Sequence, residues 1–193
     1  MTRDKYWVVD LEGSGSRPPE IVEIAMLELI DLVPGTRRHW LVRPKVGIDP
    51  AATRIHGITD ADLEGAPAIE DIAADIANDL NGIPIIGHNV RVEVDVLSRS
   101  VPEWKPASAI DTLKLAKLLL PGKKSYALSN LGAELGLDSE ARRLTDKSSH
   151  SALFDATLTA LLFVELIKPL AAERRSQVLQ SCDVLYKPQG NLF

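Results

Sequence analysis

Apolar positions along the chain change period about a third of the way in. Tyr6–Val9 is a short aromatic and β-branched run, and Ile21–Ile30 is a longer apolar stretch. A third run, His39–Val42, follows the turn residues Pro34-Gly35 and is closed by Arg43-Pro44. Short connections between the three predict antiparallel strands in a meander. Helical spacing then takes over: Ile69, Ile72, Ala73, Ile76 and Leu80 share one face, with acidic residues opposite, and Gly82 ends the helix. Ile83–Ile86 is short enough for a buried strand, and Asn89–Ser100 reads as the helix leaving it. Ala109-Ile110 predicts another strand, and Thr112–Leu120 a helix broken by Pro121-Gly122. Leu128, Leu131, Gly132 and Leu135 repeat the helical period up to Gly136. Ala152–Ile167 is apolar nearly all round, so this helix is expected deep in the core, and Pro169 interrupts it. A meander followed by alternating helices and strands predicts one α/β domain around a mixed central sheet flanked by helices.

Composition agrees with that picture and narrows it. The 193 residues are 45% hydrophobic and 25% charged, enough for one domain with a sizeable core. No apolar run approaches the ~20 residues that cross a bilayer, and Met-Thr-Arg-Asp-Lys leads into no signal-peptide core, so no membrane association is expected. A single cysteine, Cys182, excludes an internal disulfide framework and fits a cytoplasmic protein. The net charge of −5 argues against coating long duplexes, because phosphate neutralisation dominates such binding. It leaves room for an enzyme that holds a few terminal nucleotides through cations.

Four segments carry candidate chemistry. Asp10-Leu11-Glu12 follows the first strand, where alternate side chains share a face, so the two carboxylates project together. They repel unless a cation lies between them, and Mg²⁺ or Mn²⁺ takes oxygen ligands of this kind. Gly87-His88-Asn89 follows a short strand, with Glu93 and Leu97 at helical spacing beyond. His150 precedes the apolar helix that carries Asp155 near its start, where an unpaired carboxylate is costly to bury. Arg54-Ile55-His56-Gly57-Ile58-Thr59 reads as a polar turn ahead of a helix, suited to capping and packing. Asp111-Thr112-Leu113 adds a further acidic segment. The basic pairs Arg37-Arg38, Lys123-Lys124 and Arg142-Arg143 read as solvated surface.

The order and spacing of these pieces resemble the DEDDh branch of the DnaQ-like 3′–5′ exonucleases over roughly residues 4 to 167. That resemblance implies a ribonuclease-H-like fold, with an exonuclease domain over 1–168 and a C-terminal helix and tail over 169–193. It also implies two-metal hydrolysis of nucleic-acid 3′ ends, single-stranded or frayed DNA above all, with RNA as an alternative substrate. Carried over to this sequence, Asp10, Glu12, Glu93 and Asp155 hold two divalent ions, Mg²⁺ or Mn²⁺, and His150 is the general base. Substrate contacts are expected at Gly13, Ser14, His56 and Asn89. Glu93 departs from the family, which has aspartate five residues after the histidine. Asp95 is the nearest aspartate, but two helical positions lie about 200° apart, so both cannot face one metal. Gly13 also departs, standing where the family often has threonine.

The tail Gln189-Gly190-Asn191-Leu192-Phe193 resembles the peptide by which bacterial polymerases and repair proteins dock on the sliding clamp. Leu192 and Phe193 would be its apolar anchors and Gln189 its hydrogen-bonding lock, although Gly190 stands where the motif usually has leucine. Outside the nuclease class, the competing reading is a non-catalytic module that binds strand ends within a polymerase complex.

Overall fold

The computed structural model describes residues 4–186. Strands β1 (Lys5–Gly13), β2 (Ile21–Ile30) and β3 (Val33–Leu41) form an antiparallel meander. The chain then makes helices α1 (Pro50–His56) and α2 (Ile69–Leu80), strand β4 (Ile85–Gly87) and helix α3 (Arg91–Ser100). Strand β5 (Ala109–Asp111) and helices α4 (Thr112–Leu119), α5 (Leu128–Leu135), α6 (Asp138–Thr145), α7 (Ala152–Ile167) and α8 (Ala172–Cys182) complete it. The sheet order is β3-β2-β1-β4-β5, with β4 and β5 parallel to β1 and to each other.

Side-chain alternation along β1 divides the core into two layers. Trp7 and Val9 pack with Ile24, Met26 and Ile85 against α2 and α3. Val8 packs with Leu27, Leu29 and Ile86 against α4, α5, α7 and α8. Eleven of the sixteen residues of α7 are buried, and its small residues Ala152 and Ala156 let it close on Ala25 of β2. Helix α8 belongs to the same layer through Val178 and Cys182, and Asp183 bridges to β5 at Ile110.

The structure departs from the pattern reading in the meander. Pro34 and Gly35 do not form the turn; β3 already begins at Val33, and Asp31 and Leu32 turn the chain at φ 51° and 65°. Proline is tolerated there because β3 is the sheet edge, where a backbone N–H need not join a ladder. Two short helices, α1 and α6, were not read from the sequence. Arg54–His56 is the last turn of α1 rather than a loop, ended by Gly57 in the left-handed conformation at φ 78°, and Thr59 caps the 3₁₀ turn Asp60–Leu63. Among the described residues no helix is long and apolar enough to cross a membrane.

Candidate active site

Strand β1 outruns its parallel neighbour. Val8 stands opposite Ile86, so β4 ends at Gly87 while β1 continues through Asp10 and Glu12. The chain turns so sharply from Gly87 into α3 that a Cβ on Gly87 would lie 2.8 Å from a Val90 methyl. That corner sets the first turn of α3, with Glu93, beside the overhanging end of β1. Asp10 and Glu12 lie on the α7 face of the sheet, where Asp155 projects from the first turn of α7.

The carboxylates are close enough to perturb one another. Burial, then Glu93, Asp155, Glu12 and Glu23, hold the Asp10 carboxyl well above the usual range. Burial, with Asp155 and Glu23 adding, pushes Glu12 up to about 7. Glu93 is pushed up to about 8 by burial, helped by Asp111 and Glu12 against an opposing hydrogen bond from its own backbone. Burial also raises Asp155, opposed by the His150 N–H that donates to its Oδ2 at 3.0 Å. Ligand atoms of Glu12, His150 and Asp155 all lie within 4.8 Å of one another. Glu93 is 5% exposed, and its Oε2 is buried with no hydrogen-bond partner. Asp95, by contrast, faces solvent and pairs with Arg99 at 3.0 Å. A crowded set of hard oxygen donors, one of them buried and unpartnered, fits divalent cations.

The remaining expected site residues fall into distinct settings. His56 ends α1 beside the Gly13 backbone. Its Nδ1 accepts from Ile58 N–H at 3.1 Å, which leaves the buried Nε2 to carry the proton, and burial lowers its pKa. Asn89 is exposed at φ 70°, and its N–H donates to Asp111 Oδ1 at 3.0 Å. Ser14 lies in the loop that follows β1. It is fully buried, and its hydroxyl is engaged by Ser16 and the Glu20 N–H within its own loop. His88 is bound on both ring nitrogens: Nδ1 lies 3.0 Å from Thr112 Oγ1, and Nε2 donates to the Tyr126 carbonyl at 2.8 Å. Gln189, Leu192 and Phe193 lie outside the described residues.

Sequence reasoning missed Glu23 and His39. Glu23 is 4% exposed and stands across from Glu12 in the sheet. Its carboxylate accepts from His39 Nε2 at 2.7 Å, from Ala152 N–H at 2.8 Å and from Ser151 Oγ at 3.3 Å. Burial is the largest single influence on its pKa and raises it, but these hydrogen bonds and the His39 charge together bring it below the ordinary range. The available signal was a charged residue inside the apolar run Ile21–Ile30, since a carboxylate is buried there only with partners. A cleft of about 570 Å³ opens beside this group, lined among others by His39, His56, Arg142, Lys147 and His150. Another, about 470 Å³, lies between the Ser16–Ile21 segment and the ends of α2 and α3 and carries none of the four converging acids.

A mixed sheet with carboxylates gathered from β1, α3 and α7 beside a histidine defines a nuclease of ribonuclease-H-like fold. Residues 7–163 match the family model described as Exonuclease. The DNA polymerase III subunit epsilon of Buchnera aphidicola (subsp. Schizaphis graminum) is 33% identical over 175 residues, 82% of this chain and 71% of that protein. The 3′-5′ exonuclease DinG of Staphylococcus haemolyticus is 31% identical over 86% of this chain, which spans only 18% of that protein. The solved structure of Exonuclease X in complex with 5′ overhanging duplex DNA superposes with a TM-score of 0.74 at 29% identity, covering 90% of this chain and 99% of that one. The chain belongs to the DnaQ-like family of 3′–5′ exonucleases, which depend on divalent metal ions.

Proposed function

We propose that the protein shortens DNA from the 3′ end, releasing nucleoside 5′-monophosphates, in proofreading or repair. One observation carries this reading. Asp10, Glu12, Glu93 and Asp155 crowd together with raised pKa values beside His150, an arrangement that is unfavourable without cations. The DNA-bound state of Exonuclease X and the subunit-epsilon relatives support DNA as substrate.

In this reading the four acids hold two ions, Mg²⁺ or Mn²⁺. When bound, such ions supply charge that favours an ionised water nucleophile and stabilises the departing 3′ oxygen. His150 accepts the proton from the attacking water as general base. The Gly13 backbone, His56 and Asn89 receive the terminal nucleotide. Beyond the domain, the Gln189–Phe193 tail docks on a bacterial sliding clamp.

Incubation with 5′-labelled single-stranded DNA and RNA, with Mg²⁺, Mn²⁺ or chelator, tests the reading. A ladder of 3′-shortened DNA that needs metal is expected. Full turnover in chelator would remove the metal mechanism, and a ladder on RNA alone would replace the substrate.

A further inference from the structure

We infer that Glu23, together with His39, is a positioning pair that holds the His150 segment against the metal-binding strand. The inference rests on His150 being the general base.

The segment leading into α7 is not organised by its own residues. Asp146 and His150 both adopt left-handed backbone, at φ 54° and 66°, which side-chain-bearing residues seldom do unless neighbours impose it. Ser151 occupies the N-cap position of α7, yet its side chain makes no capping bond. The cap comes from another element: Glu23 on β2 accepts from the Ala152 N–H and from the Ser151 hydroxyl.

Both Glu23 oxygens are thereby engaged, one by the Ala152 N–H and the other by His39 Nε2 and Ser151 Oγ. Glu12, directly opposite in the β1–β2 register, has no hydrogen-bond donor among the described residues. Two adjacent carboxylates on one sheet face thus have different tasks. Glu12 is open to a cation, whereas Glu23 is committed to protein donors. His39 reaches Glu23 diagonally from β3, where its own partner in register is Ala25. The pair therefore ties two strands, β2 and β3, to the start of α7, and through the β1–β2 pairing fixes the His150 segment relative to Asp10 and Glu12.

A second hold on the segment is the His150 N–H bond to Asp155 Oδ2. Asp155 is itself a candidate metal ligand, so its carboxylate has competing demands. Glu23 supplies the hold that does not depend on an ion.

The test uses Glu23→Gln and, as a milder variant at a partly exposed residue, His39→Gln. Glu23→Gln is expected to lower kcat by about 10- to 100-fold with KM and Mn²⁺ affinity within about threefold, the pattern of a lost transition-state alignment rather than lost binding. His39→Gln, which keeps an N–H donor, should lose less than His39→Ala. Combined with His150→Ala, Glu23→Gln should cause little further loss, because residues acting through one step are non-additive. Hydrogen exchange at the Ala152 amide should quicken at least about tenfold in Glu23→Gln. Multiplying effects in the double variant, or unchanged exchange at Ala152, would overturn the inference. A near-normal rate in His150→Ala alone would instead remove the base assignment, and the Ala152 exchange would still report whether Glu23 holds the segment.

Discussion

Glu93→Gln removes one charge from the acid cluster while keeping the side-chain shape, so metal-free stability should respond to pH in a defined direction. The Glu93 carboxyl rises from 4.5 to about 8 in the folded protein. A carboxyl raised in this way favours the folded state while protonated; that contribution is complete below about 4.5 and vanishes as pH rises through about 8. The metal-free protein should therefore lose stability across that window. At ~1.36 kcal/mol per pH unit, a rise of about 3.5 units corresponds to about 5 kcal/mol. Glu93 is among the charges that raise Asp10, so the two titrate together and this figure is an upper bound for Glu93 alone. Since 1 kcal/mol moves Tm by about 2–4 °C in a chain of this size, Glu93→Gln should melt higher than the parent at pH 8.5, by no more than about 10–20 °C. At pH 5 the two should nearly coincide. Differential scanning fluorimetry in chelator, repeated with saturating Mn²⁺, reads the effect. Metal should raise the parent strongly at pH 8.5 and the variant much less. A parent Tm that is flat from pH 5 to 8.5, with no gain in the variant, would refute the electrostatic account of the cluster.

His150→Ala should lower kcat by roughly 10²–10⁴-fold with little change in Mn²⁺ affinity measured by calorimetry. Asp95→Ala should cost almost no activity, because Asp95 faces solvent, whereas Glu93→Ala should abolish most of it; the reverse ranking in a gel assay would mean that the wrong acid has been assigned. Mn²⁺ should support faster turnover than Mg²⁺, since Glu93 in place of aspartate relaxes the octahedral geometry that Mg²⁺ requires; equal rates would dismiss that idea. Deleting 189–193 should leave hydrolysis of short oligonucleotides intact and abolish binding to a sliding clamp in surface plasmon resonance, each lost anchor being worth about 2 kcal/mol or more.

Much of the site could be read before any coordinates because it is periodic. Asp10 and Glu12 share a face by strand alternation, and helical phase lets only one of Glu93 and Asp95 face the site, the place five residues after His88 singling out Glu93. The apolar run Ala152–Ile167 likewise announced a buried helix with a carboxylate at its start. What escaped lacks such a period. Helix α6 is short and polar on most faces, so no apolar stripe marks it. Helix α1 does carry local signals, an Asp49 cap whose carboxylate accepts from Ala51 N–H and a proline in the first turn, but it buries only Ala52. The meander turn was misplaced because Pro34-Gly35 has turn composition, while Asp31 and Leu32 adopt the positive φ that composition assigns to glycine or asparagine. Glu23 escaped because its partners, His39 and Ala152, are adjacent only after the sheet and α7 have packed.

Strand β1 precedes α7 by about 140 residues, and the acids they carry meet only when α7 closes over the sheet. Until then Asp10 and Glu12 lack Asp155 and His150, and the Val8, Leu27 and Leu29 face of the sheet lacks its covering helix. A chain that lacks α7 and the segment leading into it thus lacks one of the four converging carboxylates and the histidine beside them. The carboxylate cluster is a property of the packed domain, and neither the sheet nor α7 carries it alone.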